Sequence, residues 1–467
     1  MTDEAVHISI TIKVADVTRE IQKIVHLQAM EEGVHKLGLA IGQEVFRGMI
    51  GVVDKRIAQN KPAGWRNMGT EKRWMVSSLG AIQYKRRVYL DEQGDRIKPV
   101  DEWLGLQRYG RMSDRVREMG ASLVSSGTYR LAADQLSYLT RTPISHSAIQ
   151  RMAWVVGNRI ADSEEEERRR IFEHGGQDEP GKISAPVLYG ESDGVWVHLQ
   201  REKRRSTEVR VAILSTGRKQ VGKDRFRLEN KRCLTAIGLD SQEWQEHILR
   251  QAHRNYDLEH TRLLVCGGDG NQWVRHSFDR MQIQQEFVLD RFHLLRAARR
   301  VIPDRKAAKA LVTRLRTEGF EGVRLDLYQL IQQATGQQRN KLMDFYRYVH
   351  HNRDGLLDLQ CRGLSIPPCL GAIEGNVDKL VVHRMKGRGC SWRLRGLRAM
   401  LAICRNADQL RSHAFRYLPL QSPPRTYHTR QSLQVKYAQA SQTSMPVFQG
   451  PHQYKPWVRS LHQLIHG

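Results

Sequence analysis

The chain has 467 residues, with 75 Lys plus Arg against 50 Asp plus Glu, for a formal net charge of +25. Hydrophobic residues make up 40% and charged ones 27%, which excludes a wholly disordered chain and, at roughly 150 residues per domain, predicts about two to four domains. Three further classes fall away: no apolar run approaches the roughly 18–20 residues that span a bilayer, no secretory signal opens the chain, and the six cysteines never form CxxC, which fits a reduced cytoplasmic protein better than a disulfide or zinc scaffold.

Residues 8–14 alternate like a short strand, and 17–59 carry apolar side chains at helical spacing. Residues 73–90 read as a β-hairpin turning at Ser78-Leu79-Gly80. From 128 to 160 the pattern is that of a helix-turn-helix: one helix from Tyr129 to Leu139, a break at 140–143, and a second helix capped by Ser145 that runs to Ile160. In that reading His146, Gln150 and Arg151 face DNA; two ordinary packed helices would give the same pattern. Residues 163–182 shift abruptly, with four glutamates, three arginines and two Gly/Pro pairs, and mark a helix end and a linker.

Beyond the linker, strands are expected at 186–199, 207–215 and 232–239, then a helix at 241–258, a short buried strand at 262–266, another helix, and a strand at 286–290. Three consecutive strands followed by alternating strand and helix give a mixed α/β sheet, in the order of a ribonuclease H-like domain. Acidic residues sharpen that reading. Asp193 sits among β-forming residues, where a carboxylate conflicts with burial. Asp269 follows an apolar strand between two glycines, where α/β sheets bind ligands. Glu374 opens a helical stretch that runs to His383. Each has a plainer explanation: an edge or bulge residue, a helix N-cap, and a first-turn Glu matching the helix dipole. Together they offer hard oxygen ligands from separate elements, as two Mg²⁺ or Mn²⁺ ions require. The interval before Glu374, about 294–365, is rich in Leu, Ala, Arg and Gln at helical spacing and reads as a helical insertion. No P-loop, GxGxxG junction or HExxH competes.

Basic charge concentrates late. Residues 381–467 carry 14 Lys/Arg and one acidic residue, Asp408. Within 384–398, Arg384, Lys386, Arg388, Arg393 and Arg395 surround Trp392; cations there would bind phosphates and the indole could stack on an unpaired base, although a solvated helix face also carries such runs.

Several segments resemble one family. ESDGVWV (191–197), CGGDGNQWV (266–274), VLDRFHLLR (288–296) and AIEGNVDKLVVHRMKGRGCSW (372–392), with 84–113 and 144–150, are similar to the ISLre2 insertion-sequence transposases, whose members were grouped as UPF0236; the likeness covers roughly 15–405. The resemblance implies a DDE transposase related to the Mutator-like enzymes, with Asp193, Asp269 and Glu374 as catalytic metal ligands and Asp290 and His293 as a pair that shapes the site. His293 could equally be a packed helix residue. It implies binding of terminal inverted repeats, Mg²⁺-dependent cleavage and strand transfer, double-stranded DNA as partner, a homo-oligomer on paired ends, and a nucleoid-associated cytoplasmic protein. An inactive or domesticated DNA-binding derivative and a ribonuclease H-superfamily nuclease remain the alternatives. The expected organisation is an N-terminal α+β region (1–120), a helix-turn-helix-like region (121–175), a ribonuclease H-like catalytic domain (183–405) and a basic, poorly ordered tail (406–467).

Overall fold

A computed structural model describes residues 27–106, 110–223, 225–407 and 410, the side chains of Ala29 and Arg388 excepted. The strand expected at 8–14 and the tail from 411 lie outside the described residues. The described residues divide into two compact units, one made of residues up to Ile160 with 406, 407 and 410, the other of Ala161–Arg405.

In the first unit α1 (Leu27–Gln59) is followed by an antiparallel sheet, β1 (Arg66–Ser77), β2 (Gly80–Leu90) and β3 (Arg96–Ile97). Ser77 pairs with Gly80 across a two-residue turn, and Gly80 holds φ at +103°, a conformation only glycine adopts freely. Helix α2 (Pro99–Trp103) brings in Asp101, which is buried. Tyr84 donates to it at 2.7 Å and both Arg73 and Arg86 ion-pair with it, so this inward carboxylate is satisfied on all sides. Helices α3 (Asp114–Ser126), α4 (Tyr129–Thr140) and α5 (His146–Phe172) follow; α5 belongs to this unit up to Ile160, and its residues from Ala161 belong to the second. Thr128 caps α4, Arg141 turns the chain at φ 50°, and Ser145 Oγ accepts from Ala148 N at 3.2 Å.

The second helix of that pair continues twelve residues past the expected end at Ile160, to Phe172. The acidic and basic run 163–170 therefore belongs to a helix and not to a linker. Its charges explain why: Glu165 pairs with Arg168 and Arg169 at three- and four-residue spacing, and Arg168 reaches Glu246 at 2.6 Å within the second unit.

The second unit is built on a five-stranded sheet. After β4 (Ile183–Ser184) come β5 (Val187–His198), β6 (Ser206–Ser215), a separate ribbon of β7 (Gly217–Gly222) and β8 (Arg225–Glu229), and β9 (Arg232–Ile237). Helix α6 (Ser241–Asn255) and β10 (Tyr256–Asp257) lead to β11 (Leu263–Gly268), the short α7 (Gln272–Arg275) and β12 (Gln284–Leu289). The sheet order is β12-β11-β5-β6-β9; β5, β6 and β9 run antiparallel, and β11 and β12 run parallel to β5. One sheet face buries Leu188, Leu214, Leu234, Leu264 and Cys266 against Trp244, Ile248 and Ala252 of α6. Helix α6 begins with a complete capping box, Asp240 and Glu243 exchanging bonds with each other's backbone.

The expected helical insertion is four helices: α8 (Arg291–Val301), α9 (Arg305–Thr317), α10 (Gly319–Gln333) and α11 (Gly336–His351). They bury Leu294, Leu315, Phe320, Val323, Leu327 and Val349 in a core of their own that reaches Leu289 of the sheet. The chain then returns through 364–370 to α12 (Ile373–Val377), a π-helical segment (Asp378–Lys386) and α13 (Leu394–Arg405). The stretch expected as one helix from Glu374 to His383 thus widens into π geometry after Val377, a form that recurs at functional sites. The ribbon β7–β8 has no counterpart among the expected elements. No helix among the described residues is long and apolar enough to cross a membrane.

Candidate functional site

Alternation along β5 divides its side chains between the two sheet faces. Leu188 and Ser192 face α6, where Ser277 Oγ donates to Ser192 Oγ at 3.2 Å and accepts from Trp244 Nε1 at 3.1 Å. Tyr189, Glu191 and Asp193 point to the opposite face. Strand β11 runs parallel with Glu191 aligned to Gly267, so Asp193, in the middle of β5, and Asp269, just past the end of β11, each two residues further on, lie side by side on that face. Close approach requires glycine here: a Cβ on Gly268 would stand 3.1 Å from Ser192 O and 2.1 Å from Val274 Cγ1. Gly270 turns the chain out of the strand at φ +86°.

Strand β12 extends the ladder, with Asp290 N donating to Gly268 O at 2.8 Å. Asp290 caps α8, its Oδ1 accepting from Phe292 N at 2.6 Å and His293 N at 3.0 Å. That cap aims His293 into the site. The imidazole Nε2 lies 3.3 Å from Glu374 Oε1, and Nδ1 lies 3.4 Å from Asp290 Oδ1, an ion-pair contact too poorly aligned for a hydrogen bond.

Asp193, His293 and Glu374 form one group, each offering a ligand atom within 4.8 Å of the others. Asp269 stands outside that group. Its carboxylate accepts from Asn271 N at 2.9 Å and from the Asn271 side chain, while Tyr348 donates to its carbonyl at 2.9 Å. Its charge nevertheless reaches Asp193. Burial pushes the Asp193 carboxyl up to about 6, with Asp269 and Glu374 adding like charge and the Gly194 N–H and His293 opposing. His293 is raised, chiefly by the adjacent Asp290 carboxylate. Burial works against ionised Asp290 too, yet His293 and two backbone N–H groups hold it below its usual range.

Glu191 is a residue that sequence reasoning missed. It is buried, and its carboxylate accepts from Gly371 N at 2.7 Å, Ala372 N at 3.1 Å and Ile373 N at 3.4 Å. Those are the free N–H groups that open α12, the helix carrying Glu374. Burial raises the Glu191 carboxyl to about 7 against these three bonds. One strand therefore carries both Asp193 and the clamp that seats the helix of Glu374. A signal existed in the sequence: two acids two residues apart in a strand point to one face.

The donor set fits a hard divalent cation. Two carboxylates and an imidazole converge, and among the described residues neither Asp193 nor Glu374 is paired with Lys or Arg.

The residues expected to contact DNA separate into groups. His146 and Arg151 are exposed on α5 and Gln150 is half-buried. Lys386, Arg393 and Arg395 are exposed near the C-terminal end of the second unit. Arg384 and Trp392 are buried: the guanidinium lies 5.1 Å from the indole centroid, and Trp392 Nε1 donates to Met385 O at 2.9 Å. Trp392 also joins the end of β5, donating from its backbone N to His198 O at 3.1 Å. This pair is packed inside the unit and not open to a stacking base. The Arg388 side chain lies outside what is described.

Comparison with known proteins places the chain. Residues 20–411 match the model of a family described as Uncharacterised protein family (UPF0236), and the chain belongs to that family. No curated protein matches. A solved structure titled "Drosophila P element transposase strand transfer complex" is similar at 12% identity, covering 76% of this chain and 92% of that one, with a TM-score of 0.24; at that score the likeness carries no argument.

Proposed function

We propose that this protein is a DDE transposase of the ISLre2 type, acting on the terminal inverted repeats of an insertion sequence. The observation that carries the reading is the convergence of Asp193, Glu374 and His293 within 4.8 Å, with Asp269 on the adjacent strand end. The sheet, three antiparallel strands with two parallel ones added beyond β5, and the helices before the third acid support the ribonuclease H-like reading. Asp193, Asp269 and Glu374 are the proposed acids of the triad. Asp269 would have to exchange its bonds to Asn271 for a shared ligand.

Asp193 and Glu374 would hold Mg²⁺ or Mn²⁺, two ions in the full reading, with Asp269 joining them. Bound there, the ions supply the positive charge that offsets the anionic transition state of phosphodiester cleavage and joining. The protein's own part is orientation. Glu191 seats the helix of Glu374, and Asp290 fixes the His293 ring. Protonated His293 bridges Asp290 and Glu374 and offsets carboxylate repulsion while no cation is held. On this reading exposed His146 and Arg151, with Gln150, face duplex DNA from the second helix of the pair, and Lys386, Arg393 and Arg395 supply phosphate contacts. Assembly as a homo-oligomer on paired ends belongs to the same proposal.

The test is strand transfer with the element's own ends and Mg²⁺ or Mn²⁺, comparing the unaltered protein with Asp193→Asn, Asp269→Asn and Glu374→Gln. Each variant should bind DNA and fail to cut it. Cutting retained in one of them removes that residue from the triad, and cutting without joining by the unaltered protein marks a nuclease instead.

A further inference from the structure

The ribbon β7–β8 leaves the sheet between β6 and β9, and every residue from Arg218 to Arg227 whose side chain is described is exposed. Pairing fixes its two faces. Lys219 stands opposite Arg227 and Gly222 opposite Arg225, so Lys219, Arg225 and Arg227 share one face. Arg218, Gln220, Phe226 and Leu228 share the other. There the Arg218 guanidinium lies 4.7 Å from the Phe226 centroid, and Leu228 packs against the buried cluster that holds Tyr189, Val265, Val288 and Cys369, as Leu370 does. That anchor turns the three-cation face outward.

The outward face is costly for an isolated protein. Like charges directly opposite in a hairpin destabilise it, and a lone two-stranded ribbon is marginal in water. Glu229 stands at the foot of the same face, yet Lys219, Arg225 and Arg227 enter no ion pair among the described residues. A polyanion would relieve that repulsion, and a two-stranded ribbon matches the width of a DNA major groove. The foot of the ribbon also adjoins the acid site. Leu370 precedes the Gly371–Ile373 segment clamped by Glu191, and Lys231 Nζ donates to Asn376 Oδ1 on α12 at 3.0 Å.

We infer that this ribbon is an arm that grips duplex DNA by its phosphates, with Lys219, Arg225 and Arg227 as the contacts. The inference rests on the nucleic-acid reading of the function above and adds a contact surface to it.

The experiment measures binding to a short duplex across about 50 to 200 mM salt, for the unaltered protein and for Lys219→Gln/Arg225→Gln/Arg227→Gln. Losing three phosphate contacts should lower the slope of log affinity against log salt by about 3, with the thermal midpoint maintained or raised because like charges are removed. A steep slope shared by both proteins overturns the arm and leaves the proposed function standing. No duplex binding by the unaltered protein overturns both. A loss confined to single-stranded oligonucleotide overturns the commitment to duplex. Trypsin gives a second readout on the unaltered protein: bound duplex should slow cleavage after Lys219, Arg225 and Arg227 several-fold, and unchanged rates overturn the inference.

Discussion

The two faces of the central sheet use the same strands for opposite ends. On the α6 side, Leu188, Leu264 and Cys266 meet Trp244 and Ile248 and exclude water. On the other, the intervening residues of β5 and the end of β11 present Glu191, Asp193 and Asp269 beneath a five-residue helix that carries Glu374. The contrast shows how a site is held without being stable in itself. The α6 face contributes folding free energy throughout, whereas the other face packs Tyr189, Val265 and Val288 alongside its acids and must also hold like charges together. Substitutions on the two faces should therefore separate stability from activity.

The largest effect is expected for Asp193→Asn. Cleavage of end DNA should fall on the order of 10³-fold or more, while the thermal midpoint stays or rises, because a carboxylate that burial and two neighbouring acids disfavour has been neutralised. A variant that lost stability as well would show that the acidic face helps to hold the fold. Trp244→Ala is the converse. Its ring is fully buried on the apolar face, and its removal should cost about 3–5 kcal/mol in denaturant unfolding. Duplex binding by the remaining folded protein should be unchanged; a specific loss of binding would blur the division.

Glu191 is where the faces' roles meet, since it sits on the acidic face yet acts on packing. Glu191→Ala leaves three helix-opening N–H groups without their acceptor, an expected loss of about 1–3 kcal/mol. The helix of Glu374 would lose its seat, and the affinity of the site for Mn²⁺, read by titration of the folded protein, should weaken about 10- to 100-fold, as for other groups that orient ligands. Glu191→Gln keeps one acceptor oxygen and should restore much of that affinity. Equal Mn²⁺ binding by Glu191→Ala and the unaltered chain would reduce Glu191 to a packing residue.

How much of this was legible in the sequence depends on how local the cause is. The strands of the sheet were readable from apolar alternation and runs; Asp193 stood out because an acid there contradicts its β-forming surroundings, and Asp269 because it follows an apolar strand between two glycines, where α/β sheets bind ligands. Glu374 was different. In sequence it is an ordinary first-turn glutamate, and its place beside Asp193 arises from a chain that returns after four inserted helices. The resemblance to a family pointed to it where periodicity could not. The ribbon escaped notice because 217–229 is mostly basic and polar, with only Val221, Phe226 and Leu228 apolar, and reads as a polar loop. Burial of Trp392 and Arg384 was hidden for the opposite reason: a basic, aromatic run looks like a surface, and only the backbone bonds from Trp392 to the end of β5 fold it inward. The widening of the Glu374 helix into π geometry depends on packing and leaves no mark in composition.

The smallest predicted effect is the most discriminating between the faces, because their buried groups respond to acid in opposite directions. His247 is buried on α6 beside Trp244, with Arg250, Arg405 and Arg168 around it; burial first, and then these cations, hold its pKa well below the ordinary value. The native protein stays neutral there while the unfolded chain takes up a proton below about pH 6.5, so its contribution is complete above that pH and is lost as pH falls, by about 1.4 kcal/mol per unit. Glu191 and Asp193 have the reverse sign. Their carboxyls are raised to about 7 and about 6, so the native state binds protons that the unfolded chain does not, and stability rises as pH falls from about 7 toward the unfolded carboxyl range near 4. In the unaltered protein the two carboxyls outweigh the one histidine between about pH 6.5 and 5.5, so stability rises gently as pH falls. Denaturant unfolding of His247→Gln should then show stability rising more steeply than in the unaltered chain as pH falls through that window, and Asp193→Asn, with only Glu191 left to oppose His247, should show it nearly level. Parallel pH profiles in all three proteins would mean that neither buried group titrates apart from its unfolded state, and the electrostatic contrast between the faces would be lost.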